Sequence, residues 1–495
     1  MAGTRVGVLS KFIAWVKGDP MSIFWLAGMA GTGKTSIAVS LCRTLREDPA
    51  LFFGGGFFCS RSAGSVARTD VRRILPTLAM LLAGNSQEFA EALASELENN
   101  QHVGHKPVEE QIGSLLRKPL AAIVSSVRPI VFIIDALDEC SNEWELAELL
   151  RLLVDFEWNA NVKFIVTSRP ELHIRNTPIS NSAHNTILQL HTISVEEVTS
   201  DIRLYIRGTL EDATPEAAWY SDHDVDLLVR QSGGPFIFAS TVLRYVLQRK
   251  EREDRQDRLR KAISAVATRP AAISAVDKVY ELVLSDISRS EAADGEELER
   301  MKNILACTLT ARMSLSVEAL ATLLDMTPGR LRGALERLHS LVYLPDGNSQ
   351  PGVHTLHASL GDYLFGHGLI ETRISQSLGH DLLARGCLKR MAWDDLCFNV
   401  SQSRSSFRPN PKRAPDGLAL SLIYACLHWA HHIDSASIRT AFDVEIARDF
   451  RPKFLFWLEV LSVLGKIGLA SGLMRITRSA VSQTYRFNLH PLTFL

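Results

Sequence analysis

The sequence predicts an α/β domain built on a parallel sheet, followed by mostly α-helical domains. Three observations carry that expectation. Short β-type runs alternate with helical stretches from Ile23 to about Leu190, the pattern of a parallel sheet with helices on both faces. A glycine-rich turn, Gly28-Met29-Ala30-Gly31-Thr32-Gly33-Lys34-Thr35, separates an apolar run from an apolar-striped segment. Beyond Leu190 strand signals become rare and helical periodicity takes over.

Taken in chain order, the strand candidates are Ile23 to Leu26, Phe57 to Cys59, Val131 to Asp135, Phe164 to Thr167 and Ile187 to Leu190. Each is a short run rich in β-branched and aromatic residues. Behind the glycine-rich turn, Ile37, Ala38, Leu41, Cys42 and Leu45 recur at helical spacing, so a helix starts where the turn ends. Helical periodicity continues in Val195 to Leu210, Asp224 to Arg230 and Ile237 to Leu247. The run from Arg249 to Lys261 pairs Glu251 with Arg255 and Asp254 with Arg258 at i, i+4 spacing, a solvated helix face. From Met301 to Leu364, short helices are followed by Leu341 to Leu344, a turn at Asp346-Gly347-Asn348, and Gly352 to Leu356. Helices ending in a hairpin predict a winged-helix unit. The Ser-, Arg- and Pro-rich segment Ser401 to Pro415 predicts an exposed loop before helix resumes near Leu418. The expected division is an α/β domain over 1–200, a helical domain over 201–295, the winged helix over 296–370 and a C-terminal helical domain over 371–495.

A chain of 495 residues has room for about three ordinary domains. Its 54 Lys plus Arg against 55 Asp plus Glu give no overall pull toward nucleic acid or anionic lipid. The longest apolar segments are too short to span a bilayer and no signal-peptide pattern opens the chain, so a cytoplasmic location is expected. Seven dispersed cysteines without C-x-x-C spacing read as buried thiols in a reducing compartment.

The turn at 28–35 is a complete phosphate-binding loop. Gly28, Gly31 and Gly33 allow the backbone to curl so that its amides, including those of Thr32 and Ser36 at the helix start, face anionic oxygens. Lys34 can reach β- and γ-phosphates, and the Thr35 hydroxyl can ligate the bridging Mg²⁺. A second motif completes the site: the buried run Val131 to Ile134 ends in Asp135, the Walker B arrangement for holding Mg²⁺. Roughly a hundred residues separate the motifs, which favours the P-loop class whose sheet has an inserted strand.

Ala136 occupies the place directly after Asp135, so the acids placed to orient or deprotonate water are Glu139, with Asp138 as partner. The competing reading is that both acids serve the dipole of the next helix. Arg169 follows the next strand and is placed to reach a γ-phosphate. Ser168, Pro170 and Glu171 have the spacing of a helix-capping box. His428, His431 and His432 share one helical face without Cys, Asp or Glu at ligand spacing, and packing accounts for them more simply than a metal.

These stretches resemble the NACHT family of signal-transduction NTPases, in particular the fungal NLR-like branch with a nephrocystin-like N-terminal domain. The resemblance runs through Gly3-Thr4-Arg5, Ile23 to Thr35, Phe57 to Arg61, Phe132 to Cys140 and Phe164 to Glu171. It continues through Gly233 to Ile237, His357 to Leu364, Tyr424 to Ala430 and Phe456 to Leu461. It implies a STAND-type switch that binds ATP or ADP with Mg²⁺, forms a nucleotide-dependent homo-oligomer and engages signalling partners, with a place in innate immunity or self/non-self recognition. It further implies that Lys34 and Thr35 hold phosphates and Mg²⁺, that Arg169 is a sensor, that Pro235 packs against adenine and that His357 reaches the ADP β-phosphate. Family members usually add a signalling domain and a repeat array, whereas this chain shows no internal repeat, so a bare switch with at most slow hydrolysis is expected. The competing readings are a continuously cycling ATPase that remodels a substrate and a winged-helix DNA-binding regulator. The first is disfavoured by Ala136 and the second by the balanced charge.

Overall fold

The computed structural model describes residues 3–61, 66–122, 128–155, 158, 162–181, 185–213, 219–248, 251–268, 273–288, 295–344, 352–367, 373–400, 418–437, 442 and 446–480. It divides into two compact units, one running to Val279 and the other from Tyr280.

The first unit is organised by a five-stranded sheet: β1 (Ile23–Ala27), β2 (Phe52–Phe58), β3 (Ile130–Asp135), β4 (Val162–Ser168) and β5 (Thr186–Gln189). All pairings are parallel and the order is β2-β3-β4-β1-β5. The inserted strand is therefore β4, which separates β1, leading into the phosphate loop, from β3, which ends in Asp135. Every residue of β1, β3 and β4 is buried, as a parallel sheet covered on both faces requires. On one face Phe132 and Phe164 stack at 5.2 Å, within a core that takes in the helices Ile74–Ala83 and Glu143–Asp155. On the other, Phe24 meets Phe12 and Trp15 of α1 (Val6–Gly18), while Ile37, Leu41 and Leu45 of α2 (Lys34–Glu47) fill in around Val131, Ile133 and Ile165.

Lys163 is a buried charge near the start of β4. Its ammonium donates to the carbonyls of Asp19 (2.5 Å) and Met21 (2.8 Å) and lies over the Trp15 ring, so its polar head is satisfied at the sheet's rim. The strand β2 is longer than its sequence signal because Gly54, Gly55 and Gly56 lie within it. A Cβ on Gly54 would stand 2.7 Å from Phe132 Cε1, and one on Gly55 2.9 Å from Leu81 Cβ. Close packing against β3 and a covering helix demands glycine there.

After β5 come the helices Val195–Ala213, Asp222–Ser232, Phe236–Leu247 and Arg252–Thr268. Ser221 and Asp224 form a reciprocal capping box at the second of these. In the charge-rich helix Arg252–Thr268, Arg258 turns inward, donating to the Tyr245 carbonyl at 2.7 Å. Glu251, Glu253, Asp254, Asp257 and Arg260 are exposed, as a solvated face requires, so Arg258 is an inward exception; Arg249 lies outside the described residues.

The second unit is predominantly helical. Helices Gly295–Thr310, Val317–Leu323 and Pro328–Arg337 precede a two-stranded antiparallel sheet of β6 (Val342–Tyr343) and β7 (His354–Thr355). Ser316 and Thr327 cap the second and third helices through their hydroxyls, and Pro328 takes the first helical position. The expected turn at Asp346-Gly347-Asn348 and the loop Ser401 to Pro415 lie outside the described residues. Farther on, Gln376–Met391 and Leu420–Asp434 pair closely around Leu383, Cys387, Tyr424, Cys426 and Trp429. Among the described residues no helix is long and apolar enough to cross a membrane.

Candidate functional site

The site is assembled at the C-terminal edge of the sheet in the first unit, where β1, β3 and β4 end together. Gly28 leaves β1 with its amide donating to the Ser168 carbonyl at the end of β4 (3.1 Å). Gly31 and Gly33 then take left-handed φ values of 74° and 92°, and α2 begins at Lys34 with Gly33 as its N-cap. Gly28 serves a different need from the one its place in the motif suggests. Its φ is not positive, but an added Cβ would stand 2.8 Å from Thr32 Oγ1 and 2.9 Å from Leu190 Cδ1.

Four further groups converge on this turn. Lys34 Nζ folds back onto the loop carbonyls of Gly28 (2.7 Å) and Met29 (3.1 Å). Burial lowers its pKa, against the pull of Asp138, Asp135 and Glu139. Asp135 is 1% exposed, and its Oδ1 accepts from Thr167 Oγ1 at 2.6 Å. Burial raises its pKa, against hydrogen bonds from Thr167 and from the Thr35 hydroxyl. The loop threonine and the β3 aspartate thus meet, an oxygen donor set suited to a Mg²⁺ that keeps several of its waters. Thr35 and Ser36 both stand exposed in the first turn of α2.

Past Asp135, Ala136 adopts a left-handed φ of 56° and opens the 3₁₀ turn Leu137–Glu139. Asp138 Oδ1 accepts from the Arg169 backbone N–H (2.9 Å), and its Oδ2 pairs with Arg169 Nε (3.1 Å). Glu139 Oε2 accepts from the Arg61 N–H at 2.7 Å, and burial raises its pKa. The Arg61 guanidinium donates to the Asp138 carbonyl at 2.5 Å. The two acids therefore lie in a turn bound on one side by the end of β2 and on the other by the end of β4. The reading of both as simple dipole partners of the next helix does not account for these contacts.

The segment Gly233-Gly234-Pro235-Phe236-Ile237 seats directly on the loop. The Ile237 N–H donates to the Gly31 carbonyl at 3.2 Å, and Pro235 is the N-cap of the helix Phe236–Leu247. Arg5, 6% exposed, donates to the Thr32 carbonyl at 3.2 Å and stands over the Phe236 ring. The capping box expected at Ser168 does not form. Ser168 remains in β4, accepting from Trp25 Nε1 at 2.8 Å, and the helix starts only at Leu172. His357 lies in the second unit, where its Nδ1 accepts from the Ser359 N–H at 3.0 Å.

Sequence reasoning did not single out Thr167, Arg61 or Arg5 for a role at this site. A polar residue closing an otherwise apolar strand beside β3 is the signal Thr167 offers. The other two contribute through contacts between distant parts of the chain that no local spacing encodes.

An added Cβ at Gly31 would stand 2.1 Å from Ile237 Cγ2, whereas at Gly33 the nearest atom is 4.0 Å away. Both positions carry the left-handed penalty of about 1–2 kcal/mol, and only the first adds overpacking of about 1–3 kcal/mol. Thermal unfolding should therefore show Gly31→Ala destabilised clearly beyond Gly33→Ala. Equal losses would mean that the Ile237 contact does not hold the loop.

The chain is similar to several known proteins. The family model for nephrocystin 3, N-terminal, matches residues 4–169. The vegetative incompatibility protein HET-E-1 of Podospora anserina is 24% identical over an alignment covering 97% of this chain, which spans 36% of that protein's length. Among solved structures, a STAND protein with a tetratricopeptide repeat sensor from Pyrococcus horikoshii is 13% identical, with TM-score 0.42 over 98% of this chain and 60% of its own. A Walker-type ATPase of Pyrococcus abyssi is 12% identical, with TM-score 0.34 over 71% and 92% of the two chains. The chain thus matches the nephrocystin 3, N-terminal, model over residues 4–169, the part that carries the phosphate loop and its aspartate at the sheet edge, and is similar along nearly its whole length to a fungal vegetative incompatibility protein.

Proposed function

We propose that the chain is a nucleotide-operated switch that binds ADP in its resting state and ATP in its active one. The observation that carries this reading is the meeting of Thr35 with Asp135 beside Lys34, while Arg169, near enough to act on Lys34, pairs with Asp138 at 3.1 Å. The loop amides from Gly28 to Ser36 receive the phosphates, and Lys34 exchanges its contacts with Gly28 and Met29 for phosphate oxygens. Thr35 and Asp135 would hold Mg²⁺, which when bound would neutralise phosphate charge.

Glu139 orients the attacking water as general base, and burial raises its pKa above the ordinary carboxylate value. Arg169 leaves Asp138 when a γ-phosphate is present, so its position reports which nucleotide is bound. Pro235 packs beside the adenine, and Ile237 transmits movement of the loop to its helix through Gly31. His357 contributes from the winged-helix domain in the resting state. The divisions at 200, 295 and 370 mark the parts that rearrange. Hydrolysis is slow and resets the switch; ATP opens a face for self-association and for signalling partners.

Molecular mass in solution tests this. With ADP the chain should remain monomeric, and with a non-hydrolysable ATP analogue it should assemble. Lys34→Ala should respond to neither nucleotide. Identical mass distributions with both nucleotides, at saturating occupancy, would remove the switch.

A further inference from the structure

The thiols of Cys59 and Cys140 approach to 3.5 Å although 81 residues separate them in sequence. Each residue is 4% exposed. Cys59 directly follows β2 and donates its N–H to the Asp135 carbonyl at 3.0 Å; Cys140 closes the 3₁₀ turn that carries Asp138 and Glu139. Two residues beyond Cys59, Arg61 reaches across the same seam to Glu139 Oε2 and to the carbonyls of Asp138 and Cys140. The sulfur pair thus bridges the two segments that position the acids of the nucleotide site. A disulfide requires an S–S distance of about 2.05 Å, so the two sulfurs must close from their present 3.5 Å contact.

We propose that Cys59 and Cys140 form an oxidation site, which a hydroperoxide converts to an intramolecular disulfide joining the end of β2 to the Asp138-Glu139 turn. One sulfur attacks the peroxide oxygen, the O–O bond breaks, and a sulfenic acid and water form. The second sulfur then attacks the sulfenic sulfur and expels its hydroxyl as water. Two thiols and one hydrogen peroxide yield one disulfide and two waters: each sulfur gives one electron and the peroxide takes two. The hydrogen bond between the thiols, together with burial, pushes the Cys59 thiol up.

The site stands on the sulfur geometry alone. Its consequence rests on the proposed function: the bond draws the Arg61 segment toward the turn, fixes Glu139 and changes hydrolysis severalfold.

The experiment uses the full chain carrying Cys397→Ser, which removes the exposed thiol. After hydrogen peroxide treatment, unreacted thiols are alkylated in denaturant and peptides are mapped by mass. The expected result is a linked peptide pair containing Cys59 and Cys140, absent with either Cys59→Ala or Cys140→Ala and lost on reduction. Both thiols remaining alkylatable, conversion only to sulfinic acid, or linkage of either cysteine to a different partner would overturn the site. If an alanine variant does not fold, the map of the parent chain decides by itself. ATP turnover of the linked chain should fall severalfold and recover with dithiothreitol. Linked chain with unchanged turnover overturns the effect on Glu139. A reduced chain without turnover instead counts against the proposed hydrolysis and leaves the mapping result standing.

Discussion

Replacing Lys34 by alanine is expected to abolish nucleotide-dependent stabilisation while leaving the nucleotide-free protein nearly as stable as the parent. Two contributions separate. In the free protein the ammonium donates only to the Gly28 and Met29 carbonyls of its own loop, and such bonds contribute about 1 kcal/mol each. Even that is partly offset, because burial of the lysine already disfavours its charge. With phosphate bound, the same group makes charge-assisted bonds of about 1.5–3 kcal/mol each, so losing one or two lowers affinity roughly tenfold to a thousandfold or more. A ligand present at about a thousand times its Kd stabilises the folded state by about 4 kcal/mol. Differential scanning with and without millimolar ADP should show that gain in the parent and none in Lys34→Ala. A retained ADP shift would show that the loop binds phosphate without its lysine, or binds it elsewhere. Removing the ammonium also removes the cation that lowers the raised pKa of Asp135, so the variant's carboxylate should be protonated more readily still.

The parts of this site that could be read from sequence are those written in contiguous residues. The loop, the helix behind it, Asp135 at the end of an apolar run and Arg169 past the next strand all fall where the local pattern puts them. Contacts between distant segments are what the pattern hides. Thr167 meets Asp135 because β3 and β4 are neighbours, and Arg61 meets Glu139 because β2 pairs with β3. Strand order, absent from any local spacing, decides both. The three glycines of β2 lie before the strand candidate Phe57 to Cys59, whereas in the sheet they belong to the strand and make room for Phe132 and Leu81. Ser168 misleads in the other direction: its spacing to Glu171 satisfies a capping rule, but pairing with β1 keeps it in the strand and Trp25 takes its hydroxyl. The histidines of the C-terminal helix share one face as expected, yet their environment comes from other elements. His432 is wholly buried between the Tyr424 hydroxyl (2.7 Å from Nε2) and His380, whose Nδ1 lies 2.9 Å from its own.

That buried histidine group makes the second unit acid-labile. Burial holds His428 at about 3 and His432 well below 6.5, and the neighbouring Arg312 adds to both effects. Burial lowers His380 as well, and Asp381 opposes it only weakly; His431, lowered to about 4 and opposed by Asp434, is too exposed to count in full. An unfolded chain takes up these protons near pH 6.5, while the folded unit stays neutral until far lower pH. Stability is therefore complete above about pH 6.5 and is lost as pH falls, at about 1.4 kcal/mol per histidine per pH unit. For His428, held at about 3, pH 5 costs roughly 2 kcal/mol, which for a unit of about 200 residues lowers its unfolding temperature by about 5 °C, and His432 adds to the loss in the same direction. The carboxyls of the first unit oppose this trend: Asp135 and Glu139 have raised pKa values, and their contribution is present at low pH and lost as pH rises. Scanning calorimetry at pH 7.5 and pH 5.0 should thus resolve an acid-sensitive transition. His428→Leu should reduce the acid loss by about 5 °C. At pH 7.5 it should cost little, since His428 Nδ1 is buried without a hydrogen-bond partner and leucine favours the helix. An unfolding temperature independent of pH over this range, or an equal acid loss in His428→Leu, would mean that water reaches these rings and that they are not held neutral by burial.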